Sequence, residues 1–333
     1  MNIIVFDVPA ENGGALTILN QYYNFAKRDK ENNYIFVLSI PVFIETENIK
    51  VINFKWIKKS WFHRLYFDTF VAHKLVRRYN ANKIITLQNI LIKKTDVSQV
   101  LYLQQSLPFS EKKFTFLEAP KLWMYQNIIS IFIIKSLKNA QKIIVQSNWI
   151  KDVIIKEYKV SSECISVELP VATSEKYDLY YEDNSKETIF FYPANAEKYK
   201  NHKIIIDAIK LIVNENKYKE FKVILTVTGN ENKTMKKLYK EVIVNNLPVL
   251  FLGNLNKLDV YKMYSKSILL FPSYIETFGL PLMEARQSQT PIIASDTLFS
   301  HEVLNGYKKA YFFDHFSSEV LKNKLCIFLE NKI

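Results

Sequence analysis

Short, continuous apolar runs alternate along this chain with stretches whose apolar residues recur every three or four positions. In the first half the runs fall at residues 3–6, 34–38, 51–54, 83–87, 100–103 and 142–146. The first run is followed by Asn12-Gly13-Gly14-Ala15, which opens a helical pattern through Leu19, Tyr22, Tyr23 and Phe25-Ala26. Continuous apolar strands between helices predict a parallel sheet covered on both faces. The pattern breaks near Pro170, and residues 174–187 are polar and charged, with Tyr177, Tyr180 and Tyr181 as their main apolar content. A second set follows at 188–192, 222–227, 249–252, 268–271 and 291–294, with a helix over about 203–213. The expected organisation is an N-terminal α/β domain over 1–170, a linker over 171–187, a second α/β domain over 188–315 and a C-terminal helix over 316–333, free to return to the first domain. Two doubly wound sheets in tandem place a ligand at the carboxyl ends of their strands, between the domains.

Composition narrows the picture only a little. The 333 residues are enough for two domains, and 48% apolar content supplies two cores. Cys164 and Cys326 have no metal-ligand spacing and read as reduced, buried thiols of a cytoplasmic protein. No basic region precedes the first apolar run, so no signal peptide is expected. The longest apolar stretch, 128–134, is interrupted by Ser130 and is far short of the roughly 20 residues that span a bilayer. The formal net charge of +12 suits phosphorylated substrates or an anionic membrane surface. Nucleic acid is the weakest of the anionic partners, because no zinc, recognition-helix or RNA-binding pattern is present.

The most informative segment is Pro272-Ser273-Tyr274-Ile275-Glu276-Thr277-Phe278-Gly279-Leu280-Pro281-Leu282-Met283-Glu284-Ala285. Two carboxylates flank a Gly-Leu-Pro turn that links an apolar strand to a helix. Pro281 suits the first helical position, and the N–H groups of that turn form an anion site suited to phosphate. Glu276 lies just before the turn and Glu284 is expected within the first helical turn, so both can reach one ligand. Carboxylates accept hydrogen bonds from sugar or ribose hydroxyls. The inferred ligand is therefore phosphorylated and rich in hydroxyls. Taken singly, Glu284 is also explained as an acid favoured by the helix dipole, and Glu276 as a solvated loop residue.

This segment resembles the donor-binding signature of retaining glycosyltransferases of family 4: a Glu, seven residues, and a second Glu, with Phe-Gly-Leu-Pro between. The resemblance continues through Pro291-Ile292-Ile293-Ala294-Ser295-Asp296 and Glu302-Val303-Leu304. It implies the GT-B fold, an α/β fold in which two Rossmann-like, doubly wound domains face each other across a cleft. It also implies that Glu276 contacts the donor sugar and Glu284 the ribose, while Thr277 and the backbone of Phe278, Gly279 and Leu280 meet the sugar and pyrophosphate. Lys200, in Tyr192-Pro193-Ala194-Asn195-Ala196-Glu197-Lys198-Tyr199-Lys200-Asn201-His202, matches the family lysine that contacts the diphosphate. An ammonium is a suitable point charge for that task. The family usually has an Arg five residues earlier, where this chain has Asn195; Lys198 or the Asn195 amide is the candidate replacement.

Further candidates follow strand ends. Gly13 and Gly14 sit where the family places a glycine loop against donor phosphate and acceptor. Gly229 and Asn254 lie in turns that the resemblance assigns to the nucleotide base, and turn geometry explains each glycine equally well. Gln104 stands where related sequences often have His near the reacting sugar; an amide orients a hydroxyl but cannot act as acid or base. In the usual proposal for the family the leaving phosphate takes the acceptor proton. Among the histidines only His202 adjoins a proposed site residue. No Asp-x-Asp cluster that would hold a divalent metal follows a strand, and no cofactor beyond a nucleotide-diphosphate sugar is expected.

Residues 54–79 are basic and aromatic, a composition that fits either an interfacial amphipathic helix or a helix packing its aromatics inward. The expectation is a metal-independent, retaining transferase of hexosyl type. It would move a sugar from UDP or GDP to a hydroxyl of a glycan or lipid-linked acceptor, in bacterial surface polysaccharide synthesis. An anionic membrane surface, at the inner face of the cytoplasmic membrane, is the further expected partner. Two other readings stand beside it: a nucleotide-sugar epimerase or hydrolase on the same fold, and a non-catalytic nucleotide-sugar or polyanion-binding protein.

Overall fold

A computed structural model describes residues 1–11, 13–170, 178–181, 187–215 and 220–330. The chain divides into two compact units, Met1–Pro170 and Val171–Ile333. The first holds strands β1 (Asn2–Asp7), β2 (Asn33–Leu38), β3 (Ile49–Asn53), β4 (Lys83–Thr86), β5 (Ser98–Tyr102), β6 (Lys142–Val145) and β7 (Ile165–Val167). They form one parallel sheet in the order β3-β2-β1-β4-β5-β6-β7. The second unit holds β8 (Thr188–Tyr192), β9 (Phe221–Leu225), β10 (Val249–Phe251), β11 (Ile268–Phe271), β12 (Ile292–Ser295) and β13 (Ala310–Phe313), ordered β10-β9-β8-β11-β12-β13. Both sheets therefore have the Rossmann-like order, which reverses between β1 and β4 and between β8 and β11.

The alternation of side chains explains why these strands are apolar throughout. On one face of the first sheet Val5, Phe36 and Leu38 pack with Leu19 and Tyr23 of the helix Gly13–Arg28. On the other, Ile4, Phe6, Val37 and Ile84 pack with Ile57, Phe67, Ala72 and Val76. A strand buried on both sides has no position for a polar residue until it ends. In β1 that end is Asp7, itself fully buried.

The elements follow the expected alternation, with two additions. β7 and β13 are sheet-edge strands of three and four residues. β7 carries a central Ser166, and β13 follows directly on Lys308-Lys309. The apolar run of β7 is broken by that serine, whereas Ala310-Tyr311-Phe312-Phe313 is as long as the run of β11 and could have been read from the sequence.

Of the expected linker, only 178–181 and 187 fall among the described residues. The Tyr180 N–H donates to the Ser288 carbonyl at 2.7 Å and the Tyr181 N–H to that of Ser265 at 3.0 Å, so this stretch is bonded into the second unit. The last helix, Ser318–Glu330, also belongs to the second unit. Its buried Leu321, Leu325, Cys326 and Leu329 face the helix His202–Glu215, and Lys322 pairs with Glu215. Among the described residues no helix is long and apolar enough to cross a membrane.

Candidate functional site

The loops that leave β8 and β11 meet at the switch point of the second sheet. The Tyr274 N–H donates to the Tyr199 carbonyl at 3.2 Å and ties one loop to the other. Lys200 Nζ touches Glu276 Oε1 directly, and the Ser273 hydroxyl donates to the same oxygen at 2.7 Å. The Lys200 and Glu276 side chains keep 15% and 16% of their surface exposed, so the pair lies at the bottom of the loops and is open to a ligand. Beneath it the fully buried Tyr192 donates its hydroxyl to the Lys200 carbonyl at 2.8 Å. Burial pushes that hydroxyl well above its ordinary pKa, with Glu276 and Tyr199 adding to the effect. Tyr192 therefore remains protonated and fixes the lysine backbone as a donor.

Lys200 closes a short 3-10 turn, Lys198–Lys200, and Asn201 then takes a left-handed conformation (φ 57°) that starts the helix His202–Glu215. His202 is buried with its ring centre 5.0 Å from that of Tyr192. Burial, then the positive charge of Lys200, lowers its pKa to about 4. It is neutral at physiological pH and packs beneath the site instead of ligating within it.

Gly279 precedes the helix Leu280–Gln287 in a left-handed conformation (φ 90°). A β-carbon there would lie 3.2 Å from Leu282 Cδ1, so both backbone and packing select glycine. Phe278 is buried beside it, while Thr277 and Leu280 are half-buried. No side chain caps this helix. Glu284 departs from the expectation: it is the fifth helical residue and lies in the second turn, so the dipole of the first turn does not account for it. Its carboxylate accepts hydrogen bonds from Tyr261 at 3.4 Å and Tyr264 at 3.2 Å, both on the helix Lys257–Tyr264. Two phenol donors thus hold it half-buried and oriented.

The other predicted residues line the same edge more loosely. Asn195 is exposed and its side-chain oxygen accepts from the Glu197 N–H at 3.2 Å, which leaves its amide nitrogen as the group able to meet a phosphate. Lys198 and Asn254 are exposed. Gly229 is buried with φ +84°, and a β-carbon would fall 2.6 Å from the Tyr239 ring, so turn geometry fully explains it. Gly13, Gly14 and Gln104 lie in the first unit. Gly13 begins the helix Gly13–Arg28 with φ +60°, and Asn12 lies outside the described residues. The Gln104 amide donates to the Leu87 carbonyl at 2.9 Å, and its backbone N–H to Asn89 Oδ1 at 2.6 Å. That side chain therefore bridges the ends of neighbouring strands.

Sequence reasoning missed Ser273, Tyr192, Tyr261 and Tyr264. Ser273 lies within the motif itself, one residue from a proline at a strand end. Tyr261 and Tyr264 are spaced for one helix face, but only the fold shows what that face meets. Among the described residues no group of three or more His, Cys, Asp or Glu side chains could hold a metal ion.

Comparison with known proteins bears directly on this edge of the second sheet. The glycosyl transferases group 1 family model matches residues 175–333. The match lies within the second unit, where Lys200, Glu276 and Glu284 are found. The chain is 31% identical over 183 residues to the O-antigen chain mannosyltransferase RfbU of Salmonella typhimurium, covering 54% of this chain and 49% of that protein. It spans about half or less of the length of the curated relatives it matches. Among solved structures, sucrose-phosphate synthase from Thermosynechococcus elongatus superposes with a TM-score of 0.75 at 16% identity, covering 99% of this chain and 90% of that one. Anabaena Alr3699/HepE, solved in complex with UDP and glucose, gives 0.66 at 17% identity, covering 100% and 91%. At such identities the likeness establishes the fold: α/β, with two Rossmann-like units of the GT-B class.

Proposed function

We propose that the chain transfers a hexosyl group, with retention and without a metal ion, from a UDP- or GDP-sugar to a hydroxyl of a glycan or lipid-linked acceptor. The carrying observation is the direct contact of Lys200 with Glu276 at the switch point of the second sheet. A nucleotide-diphosphate sugar presents hydroxyl donors on one side of its anomeric oxygen and phosphate acceptors on the other. A carboxylate and an ammonium side by side complement that pair of groups. On binding, Lys200 turns from Glu276 to the diphosphate, and Glu276, still held by Ser273, accepts from the sugar. Glu284, oriented by Tyr261 and Tyr264, accepts from the ribose. As the bond from the anomeric carbon to phosphate oxygen breaks, the departing phosphate gains charge. Lys200 and the Leu280–Gln287 helix terminus stabilise that charge. The acceptor hydroxyl bonds to the anomeric carbon on the face the phosphate leaves, and its proton passes to the phosphate. The positive charge of Lys200 does the work that a divalent cation does elsewhere.

The names of the relatives support sugar transfer in the synthesis of a bacterial surface polysaccharide, which this reading places in the cytoplasm. The test is a thermal-shift panel with UDP, GDP, ADP, CDP and dTDP, followed by a transfer assay. One nucleotide at 100 times its Kd should stabilise the chain by about 2.7 kcal/mol, and Glu284→Ala should abolish that shift. Glu276→Gln and Lys200→Met should each lower transfer by about 10²–10³-fold. Transfer that survives Glu276→Ala unchanged would place the active site elsewhere.

A further inference from the structure

The basic, aromatic stretch 54–79 does not bury all its aromatics. It forms a continuous helical path over 61–78, in which Phe67 is buried while Trp61, Phe62, Leu65, Tyr66 and Phe70 are exposed, Phe62 by 83%. A second path over 120–139, which carries no basic-aromatic signature, exposes Ile128, Ile131 and Phe132, and Leu117 before it is 95% exposed. The two lie side by side. Trp61 meets Tyr125 edge-on at 6.1 Å near the start of both. Further along, Lys94 Nζ stands 5.4 Å from the centre of the Phe70 ring and Lys93 Nζ 5.0 Å from that of Phe132, so one lysine pair bridges the two paths. These contacts make the exposed residues one surface, formed entirely within the first unit.

Both paths set exposed apolar residues among basic ones, with Lys59 and Lys121 exposed ahead of them. The exposed positions of the first run through Phe62, Leu65 and Phe70 to Lys74 and Arg77, at helical spacings. Those of the second run through Ile128 and Ile131 to Lys135 and Lys138. Residues 54–79 hold seven Lys and Arg against a single acid, Asp68, which is paired with Arg64 at 2.7 Å; residues 117–140 hold three lysines against a single acid, Glu118, which lies 3.8 Å from Lys112. A soluble chain gains nothing by exposing a contiguous aromatic face, and a protein partner of ordinary composition does not call for a rim of one sign. An anionic bilayer matches both features: the exposed apolar residues enter the boundary of headgroups and acyl chains, and the basic residues on either side stay among the headgroups.

We infer that these two helical paths together form a docking face for an anionic lipid bilayer, with their exposed apolar residues dipping into the membrane. This goes beyond the transfer reaction, since it depends on no residue of the sugar-nucleotide site.

The test is flotation of the full chain with vesicles of phosphatidylcholine alone and of phosphatidylcholine mixed with phosphatidylglycerol, at low and high salt. Binding is expected to the mixed vesicles at low salt and to weaken as salt screens the rim. Phe62→Ser with Leu65→Ser, and separately Ile128→Ser with Ile131→Ser, should each reduce binding at least tenfold. Lys135→Gln with Lys138→Gln should reduce it about fivefold per lysine. All six positions are exposed, so thermal melting and the nucleotide-induced shift should match the parent chain and exclude misfolding. Absence of binding to mixed vesicles would overturn the inference, as would equal binding to both vesicle types. A second-path variant that floats like the parent would overturn the joint face, as would a dimer that the serine variants dissociate without changing flotation.

Discussion

Asp7 gives the sharpest test of how the first sheet is held together. It ends β1 with 0% exposure, and neither carboxylate oxygen completes a hydrogen bond among the described residues. Burial pushes its pKa well above the ordinary value; Arg64, the Ala10 backbone and Lys58 pull less strongly the other way. Both cations have other commitments, Arg64 to Asp68 at 2.7 Å and Lys58 to Glu11 at 2.5 Å. Keeping such a group protonated costs about 1.4 kcal/mol for each pH unit above its ordinary pKa. Asp7→Asn keeps the shape and removes the charge, so it should stabilise the first unit by about 2 kcal/mol near pH 7. For a unit of 170 residues that raises Tm by about 4–8 °C. The sign with pH follows from the raised pKa. The folded unit keeps a proton that the unfolded chain has lost, so this contribution is full below about pH 4 and declines as pH rises. The advantage of the Asn variant should therefore be largest at neutral pH and vanish toward pH 4. Calorimetry of both proteins across that range measures it. A neutral-pH loss of stability in Asp7→Asn would refute the reasoning, because it would show a native charge with a favourable partner.

The buried, neutral His202 acts in the opposite direction. Its pKa is lowered to about 4, so the stability it contributes is present above about pH 6.5 and lost as pH falls toward 4. Urea denaturation should show the parent losing about 2 kcal/mol more than His202→Leu between pH 7 and pH 5, and equal losses would remove His202 from the account. Gly229→Ala should cost about 2–4 kcal/mol, from a positive φ and a contact of 2.6 Å with Tyr239. Adding Tyr239→Ala should return the steric part, and failure to do so in urea melts would leave the backbone conformation as the whole cause.

What could be read from the sequence was what is local. The segment from Ile268 to Ala285 is contiguous, so strand, turn and helix were visible together, and so were Glu276 and the glycine turn. Lys200 lies 76 positions from Glu276; that the two belong to one site came from family resemblance, and their direct contact came from the parallel pairing of β8 with β11. The position of Glu284 was off by one turn because Leu280 begins the helix, four residues ahead of it. Tyr261 and Tyr264 were invisible, since a tyrosine on a helix face has no signature of what it will meet. The exposed side of 120–139 was hidden for the same reason. Within it Ile133 and Leu137 bury themselves while their neighbours Ile131 and Phe132 do not.

The packing of Ser318–Glu330 against His202–Glu215 has a consequence for synthesis on the ribosome. The helix that begins two residues after Lys200 is covered by one made much later, whose Lys322 pairs with a residue 107 positions before it. The first sheet has all its strands by Val167 and can form while translation continues. The lysine loop, in contrast, has its backing only once Leu321, Leu325 and Leu329 have cleared the exit tunnel. A nascent chain stalled before Leu321 should therefore protect its first unit from protease while the segment around Lys200 is still cut, so the order of translation sets when the site can first close.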